Sequence, residues 1–165
     1  MNFKRYKELK ATALASLANR EAIGYPIEAE AVEREDALSL AYIGDAVYSL
    51  YVRERLVGTG ITKVQVLHAL ATECICAKGQ AEALGVIEPM LTETEIRLVR
   101  RARNADVNVP RSATVGEYRA STAFEALLGY LHRTGRRERL ETLMETALRA
   151  VLHADGGASE QGGGR

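Results

Sequence analysis

The chain has 165 residues, of which 22 are Lys or Arg and 22 are Asp or Glu, so its formal net charge is zero. A chain of this length suits one domain and can bury a hydrophobic core without disulfides or a structural metal. Zero net charge excludes a general attraction to nucleic acid, so any basic surface has to be local. Because no run approaches the roughly 20 apolar residues that span a bilayer, we expect a cytoplasmic protein.

The pattern of apolar residues predicts an all-α protein, since no stretch shows sustained alternation of apolar and polar residues. A turn is expected at the sequence GYP, residues 24–26, and glycines are expected to end the second helix after Val57. The predicted helices cover about residues 4–20, 37–57, 62–84, 92–103, 117–133 and 136–152.

Two capping boxes, in which side chains bond the free amides of a helix start, are predicted. Thr62 with Gln65 should open the third helix, and Thr92 with Glu95 should open the fourth. Residues 104–116 contain a proline and several Asn and Asp residues, so they are expected to form a loop.

Two apolar helical segments each carry one acidic side chain. Residues 40–52, LAYIGDAVYSLYV, contain only Asp45, and the fifth helix contains Glu125 within ASTAFEALLGYL. The second helix is apolar on nearly every face, which is typical of an enclosed helix, so we expect Asp45 to be buried. Gly44 precedes Asp45 and Gly129 lies one turn after Glu125. Because mid-helix glycine costs about 1 kcal/mol relative to alanine, we infer that the two helices pack closely near both carboxylates.

Two neighbouring buried carboxylates need a counter-charge, because they repel each other and lose hydration. Oxygen ligands suggest Mg²⁺, which takes one or two carboxylates and completes its shell with water and substrate phosphate. Such an ion can assist an in-line displacement at phosphorus. The alternative is that each carboxylate pairs with a buried arginine, with Arg53 and Arg119 nearest in sequence.

The strongest basic cluster lies between residues 97 and 119. This segment contains six arginines and two acidic residues, so its local charge is +4. Side chains at the start of the loop suit contact with the phosphates of a duplex better than base readout. These candidate RNA-binding residues are Arg100, Arg101, Arg103 and Asn104. The alternative is a basic surface that only improves solubility.

The cysteines and three tyrosines of the second helix are expected to be core residues. Cys74 and Cys76 point to nearly opposite faces of a helix, so we expect two reduced core thiols and no zinc site. Tyr42, Tyr48 and Tyr51 fall at helical spacing and are predicted to pack in the core.

The motifs YIGDAVY, residues 42–48, and YRASTAFEALLGYL, residues 118–131, resemble the two signature helices of the ribonuclease III catalytic domain. The resemblance is to its compact form, the Mini-ribonuclease III family, whose basic RGRNAK-type loop is similar to RRARNADVNVP here. Order and spacing match over roughly residues 34–145. The resemblance therefore divides the chain into an N-terminal helical extension, a ribonuclease III-like catalytic domain and a disordered Gly-rich tail: 1–33, 34–152 and 153–165.

The resemblance implies a homodimer that cleaves double-stranded RNA with Mg²⁺ and lacks a separate RNA-binding domain. It also implies maturation of precursor 23S ribosomal RNA, with a ribosomal protein as a candidate partner. Asp45 aligns with the aspartate of the family's LGD motif and Glu125 with the glutamate of its EAL motif, so both are the expected catalytic and metal-binding residues. The alternatives are a non-catalytic RNA-binding or ribosome-assembly module on the same fold and a helical protein-interaction domain.

The chain departs from the pattern of full-length ribonuclease III at three outer acidic positions. These enzymes carry carboxylates where this chain has Leu38, Ala41 and Thr122, a reduction that Mini-ribonucleases III largely share. In the basic loop, Ala102 and Asp106 replace the usual glycine and lysine of the family. These departures bear on how tightly metal and RNA are held.

Overall fold

The computed structural model describes residues 2–18, 26–106 and 108–156, and no β-strand occurs among them. The prediction of an all-α protein is confirmed. The helices are α1 (Phe3–Ala18), α2 (Ala29–Glu33), α3 (Ala37–Val57), α4 (Val64–Ile75), α5 (Ala77–Ile87), α6 (Glu93–Arg103), α7 (Val115–Arg133) and α8 (Arg137–Gly156). A 3₁₀ turn, Glu88–Met90, joins α5 to α6. None of these helices is long and apolar enough to cross a membrane.

The core is centred on α7. Residues 121–131 of this helix are buried with the exception of Glu125, and α3, α5 and α6 pack around it. A capping box starts the helix: Thr114 Oγ1 accepts a hydrogen bond from Glu117 N at 3.2 Å, and the Glu117 carboxylate accepts one from Thr114 N at 2.9 Å. This cap lets α7 begin two residues earlier than the sequence pattern predicted.

Two glycines set the contact between α3 and α7. A Cβ added to Gly44 would overlap the backbone carbonyl of Glu125, and one added to Gly129 would overlap the carbonyl of Leu40. Any side chain at either position would push the two helix backbones apart. The close contact predicted near both carboxylates is therefore confirmed.

The segment predicted as one helix over residues 62–84 forms two helices. Cys76 has an extended backbone, with φ −70° and ψ 160°, and its Sγ accepts a hydrogen bond from Gly79 N at 3.4 Å at the start of α5. α4 follows Lys63 without a side-chain cap. The capping box predicted for Thr62 is wrong, because the helix starts too late for this side chain to reach its free amides.

Two further segments differ from the predicted helices. The acidic segment before α3 contains the short helix α2, which the sequence pattern did not predict and which buries Val32. α8 continues to Gly156, past the predicted end at residue 152. Residues 24 and 25 of the expected GYP turn and residues 157–165 of the Gly-rich tail lie outside the described residues. The division of the chain into extension, domain and tail stays a prediction.

The two cysteines differ from each other in exposure, and so do the three tyrosines of α3. Cys74 is buried as predicted, but Cys76 is exposed at the corner between α4 and α5. Tyr48 and Tyr51 are buried, whereas Tyr42 is 84% exposed and was wrongly placed in the core. Helical spacing alone cannot distinguish these tyrosines, because one face of α3 is left uncovered.

We expect Gly44→Ala to destabilise the fold by about 3 kcal/mol, because the new methyl group must displace a helix backbone rather than a flexible side chain. Gly85→Ala on α5 is the matched control, since a Cβ there meets nothing within 4 Å. The control should gain up to about 1 kcal/mol from helix propensity. Urea denaturation measures both variants, and equal free energies of unfolding would contradict the close contact.

Candidate active site

The crossing of α3 and α7 brings Asp45 and Glu125 into one cleft. The cleft is open and has a volume of about 490 Å³. Its lining comes from α3 (Leu38, Ala41, Tyr42 and Asp45), from α7 (Tyr118, Ser121, Thr122 and Glu125) and from the connection between α6 and α7 (Asp106 and Asn108). Two residues that are far apart in the sequence therefore face the same space.

The two carboxylates differ in exposure. Glu125 is partly buried, as its apolar surroundings predict, but Asp45 is exposed. The prediction of a buried Asp45 is wrong because α3 is not enclosed. Gly44 faces α7, and the next residue lies about 100° further round the helix, towards a face that also exposes Tyr42 and Leu50.

The electrostatics of the cleft disfavour two ionised carboxylates. Burial, and then repulsion by Asp45, raise the pKa of Glu125 to about 7, while the side-chain amide of Gln80 acts in the opposite direction. Neither carboxylate forms an ion pair with any residue that the structure describes. The alternative of buried arginine partners is therefore wrong. Arg53 is exposed and donates to a carbonyl oxygen of its own helix at 2.8 Å, and Arg119 is also exposed.

A second buried glutamate shows what a structural carboxylate looks like in this fold. Glu95 is 1% exposed and accepts hydrogen bonds from Arg139 Nη2 at 2.8 Å and from Thr92 N at 2.8 Å, which confirms the predicted capping box. Although burial disfavours its ionised form, these bonds hold the pKa of Glu95 below its usual value. The pKa of Glu125 moves the other way. A carboxylate that lies in a cleft, with its pKa raised by burial and by a neighbouring negative charge, is typical of a functional site.

The donor atoms in the cleft fit a hard divalent cation. Across the described ranges, no three His, Cys, Asp or Glu side chains form a group that could hold a metal ion. A pair of carboxylates is nevertheless what Mg²⁺ commonly uses, since water and substrate phosphate supply its other ligands. Asp106 and Asn108 bring further oxygen atoms to the rim. A cation between Asp45 and Glu125 would favour both ionised forms and relieve their repulsion.

The three positions that are acidic in full-length ribonuclease III line the same cleft. Leu38 and Ala41 place apolar groups there, and Thr122 Oγ1 donates to the backbone oxygen of Tyr118 at 2.9 Å. Carboxylates at these positions would face the space between Asp45 and Glu125. This chain therefore offers fewer anionic ligands at that site.

The predicted RNA-binding residues lie at the end of α6, just before the connection that lines the cleft. Arg100 and Asn104 are exposed. Arg101 Nη1 donates to a backbone carbonyl of α2, and Arg103 forms an ion pair with Glu88 at 3.4 Å. The cleft lining begins two residues after Asn104. α6 therefore leads into the connection that lines the cleft, and two arginines of the cluster also hold α6 in place.

Sequence reasoning missed two polar residues near the site. Gln80 is buried on the same face of α5 as Ala83, Leu84 and Ile87. A single polar residue at a position of that apolar stripe was a signal that the sequence contained. Asn108 had no such signal, because its place at the rim depends on the path of the loop.

We expect the metal-free protein to lose stability as the pH rises from about 4.5 to about 7, because the pKa of Glu125 is higher in the folded state than in the unfolded state. The free energy of unfolding is highest below the unfolded-state pKa of Glu125 and falls as the pH rises through its folded-state pKa. The loss is at most about 3 kcal/mol. Urea denaturation in EDTA across this range measures the loss, and Glu125→Gln should not show it. Parallel pH profiles for the two proteins would contradict the raised pKa.

Comparisons with known proteins agree with this site. Residues 38–136 match the family described as the Ribonuclease III domain. The chain is 44% identical over 119 residues to Mini-ribonuclease 3 of Enterococcus faecalis, covering 70% of this chain and 90% of that protein. It is 48% identical over 111 residues to Mini-ribonuclease 3 of Symbiobacterium thermophilum, covering 67% and 85%. A crystal structure from Fusobacterium nucleatum matches with a TM-score of 0.65 and 28% identity, covering 70% of this chain and 93% of that one. The chain therefore belongs to the ribonuclease III family of endoribonucleases, in its Mini-ribonuclease III group.

Proposed function

We propose that this protein cleaves double-stranded RNA with Mg²⁺ held by Asp45 and Glu125. The observation that supports this proposal best is a pair of carboxylates that face one open cleft and have no cationic partner in the described chain. The raised pKa of Glu125 is the electrostatic cost of that arrangement. A bound cation would remove this cost, and substrate phosphate would complete its coordination.

The two carboxylates act from different depths of the cleft. Glu125 is held on the buried helix α7, so its oxygen atoms provide the fixed side of the cation site. Asp45 stands at the open edge, where it would hold the cation on the side from which the phosphodiester approaches. The cation, when bound, supplies positive charge for ionising the attacking water and for an in-line displacement at phosphorus. As in the ribonuclease III family, attack of water at phosphorus with departure of the 3′ oxygen would leave a 5′ phosphate and a 3′ hydroxyl.

A non-catalytic RNA-binding or ribosome-assembly module on the same fold is the alternative function. In such a protein the unpaired Glu125 would only reduce stability, and a neutral residue at this position would relieve the repulsion by Asp45. The presence of both carboxylates in one cleft therefore favours the catalytic function.

The proposed natural substrate is precursor 23S ribosomal RNA, and the proposed location is the cytoplasm. Both proposals come from the likeness to Mini-ribonuclease III. The same likeness makes a ribosomal protein the candidate partner that presents the RNA. Incubation of the purified protein with precursor 23S RNA, followed by mapping of the 5′ ends, tests the substrate: cleavage outside base-paired segments would contradict it.

The exposed face of α3 supports a homodimer. Tyr42, Leu50 and Val57 are 84%, 60% and 62% exposed, so one face of α3 leaves three large apolar side chains in solvent, with Arg53 among them. Large apolar side chains exposed together commonly mark protein–protein contacts. Because Tyr42 also lines the cleft, a second copy bound there would place two sets of carboxylates near one duplex, one for each strand.

The exposed basic residues at the end of α6 are the proposed contacts for RNA phosphates. Arg100 and Asn104 are exposed, and Arg101 and Arg103 add positive charge to the same turn. In a chain of zero net charge this local charge is what attracts the RNA backbone. Contacts of this kind hold a duplex in place without selecting its sequence.

We expect Asp45→Asn and Glu125→Gln each to abolish cleavage of duplex RNA in Mg²⁺ while leaving the fold intact, because each removes an ionised ligand and relieves the mutual repulsion. Gel analysis of the products and circular dichroism check the two outcomes. Glu54→Gln, an exposed change on α3, is the matched control and should cleave normally. Cleavage near the wild-type rate by either carboxylate variant would remove that residue from the site.

We expect the protein to sediment as a dimer at micromolar concentration and Leu50→Glu to sediment as a monomer, because a buried unpaired charge opposes association. The interface should bury on the order of 1,200 Å² or more. Val86→Glu, at a 47% exposed site on α5, is the control and should remain dimeric. A monomeric wild-type protein that still cuts both strands would refute the dimer.

We expect Arg100→Ala combined with Asn104→Ala to weaken binding to duplexes of different sequence alike. The slope of log K against log salt should become shallower by roughly 0.7 to 0.9, for the one cationic contact that Arg100 provides, because the neutral Asn104 displaces no counterion. Cleavage at saturating RNA should change little, since the carboxylates are untouched. Arg149→Ala, which removes an exposed arginine from α8, is the control. Binding titrations at several salt concentrations measure both variants, and an unchanged slope would return the cluster to a solubilising role.

A further inference from the structure

Gln80 is a fully buried amide on the inner face of α5. It is 1% exposed, and its neighbours on the same face, Ala83, Leu84 and Ile87, are all 0% exposed. Burying an amide among apolar side chains costs free energy unless it finds a hydrogen-bonding partner. Its Nε2 nevertheless has no partner at full hydrogen-bonding geometry among the described residues. Because burying an unpaired amide is unfavourable, packing alone does not explain why a glutamine occupies this position.

The position of Gln80 is fixed by the corner between α4 and α5. The Cys76 carbonyl accepts a hydrogen bond from Gln80 N at 2.9 Å, and Cys76 Sγ accepts one from Gly79 N. A Cβ added to Gly79 would overlap the backbone carbonyl of Glu73, so this corner is tightly packed. Gln80 therefore enters the contact between α5 and α7 from a rigid first turn.

The group beside the Gln80 amide is the Glu125 carboxylate. The amide interacts favourably with the ionised form of Glu125 and thus opposes the effects of burial and of Asp45 on its pKa. An amide nitrogen only donates hydrogen bonds, and an ionised carboxylate only accepts them. Nε2 and a Glu125 oxygen are therefore complementary as donor and acceptor.

We propose that Gln80 is a positioning residue for Glu125: its Nε2–H donates to one carboxylate oxygen from the core side and turns the other oxygen towards the cleft. This inference rests on the proposed function, since it gives Glu125 the role of a cation ligand. Groups that bond a metal ligand from behind fix its orientation and commonly change metal affinity or activity by about 10- to 100-fold when removed.

The variant Gln80→Met tests this role, because methionine keeps a similar length and removes the donor. We expect the dissociation constant for Mn²⁺, measured by electron paramagnetic resonance of the free ion without RNA, to rise about 10-fold or more. The kcat for duplex RNA should fall while its KM stays unchanged. Thermal unfolding without metal should occur at the wild-type temperature or above, since a poorly bonded amide has left the core.

Two controls separate positioning from packing. Leu84→Met changes a buried neighbour one turn along α5 and should leave the Mn²⁺ dissociation constant unchanged. Gln80→Leu also lacks the donor but has a different shape, so it should weaken Mn²⁺ binding as Gln80→Met does. A merely structural role for Gln80 would lower the unfolding temperature and leave Mn²⁺ binding by the folded protein intact, and that result would overturn the inference.

A double-variant comparison shows whether Gln80 acts through Glu125. If it does, Gln80→Met combined with Glu125→Gln will bind Mn²⁺ no more weakly than Glu125→Gln alone. Further weakening in the double variant would overturn the inference, because Gln80 would then contribute independently. Weaker Mn²⁺ binding in Glu125→Gln with unchanged binding in Gln80→Met would also overturn this inference but leave the proposed function standing. A wild-type protein that does not bind Mn²⁺ would overturn both.

Discussion

The contact between Gly44 and Gly129 is the constraint on which the site depends. Each glycine lets the backbone of the other helix approach to a distance that no side chain would permit. Because Asp45 directly follows Gly44, and the Glu125 carbonyl is what Gly44 touches, the same contact fixes where both carboxylates stand. The cleft, its acidic pair and the repulsion between them all follow from how closely α3 and α7 approach each other.

Glu95 and the partly buried Glu125 have opposite electrostatic surroundings. Glu95 is surrounded by donors from Thr92 and Arg139 and helps to join α6 to α8. Glu125 has an acidic neighbour and a neutral amide instead, and its pKa rises to about 7. The surroundings of Glu95 stabilise the folded, metal-free protein, whereas those of Glu125 destabilise it. A site that binds a cation needs surroundings like those of Glu125, because ligands already paired with arginine would have little affinity left for a metal.

The uncovered face of α3 links the cleft to the surface. Asp45 and Tyr42 line the cleft beside α7, and Leu50 and Val57 are exposed further along the same helix. One helix therefore packs the core with one side, lines the cleft with its edge and exposes large apolar side chains on the other side. This explains why residues 40–52 are apolar apart from Asp45 although only part of this segment is buried.

The sequence by itself determined most of the helices and the identity of the acidic pair, but not α2 or the break between α4 and α5. Capping boxes, terminal glycines and helical periodicity are local signals, because they act between residues within about one turn of each other. They placed α3 and α6 correctly, and the cap at Thr92 is present as predicted. The glycines beside Asp45 and Glu125 also predicted the close helix contact, since glycine in mid-helix is unfavourable without such a reason.

Only the tertiary structure decided which faces are covered. Asp45 and Tyr42 are exposed because no described helix packs over that side of α3, and no local pattern contains this information. The corner at Cys76 likewise depends on the angle that α5 needs in order to reach α7. Gln80, a polar residue on an apolar face of α5, was not identified from the sequence, because its interaction with Glu125 depends on the packing of two helices distant in the chain. Exposure and partner choice are properties of the assembled core, whereas helix boundaries are largely local.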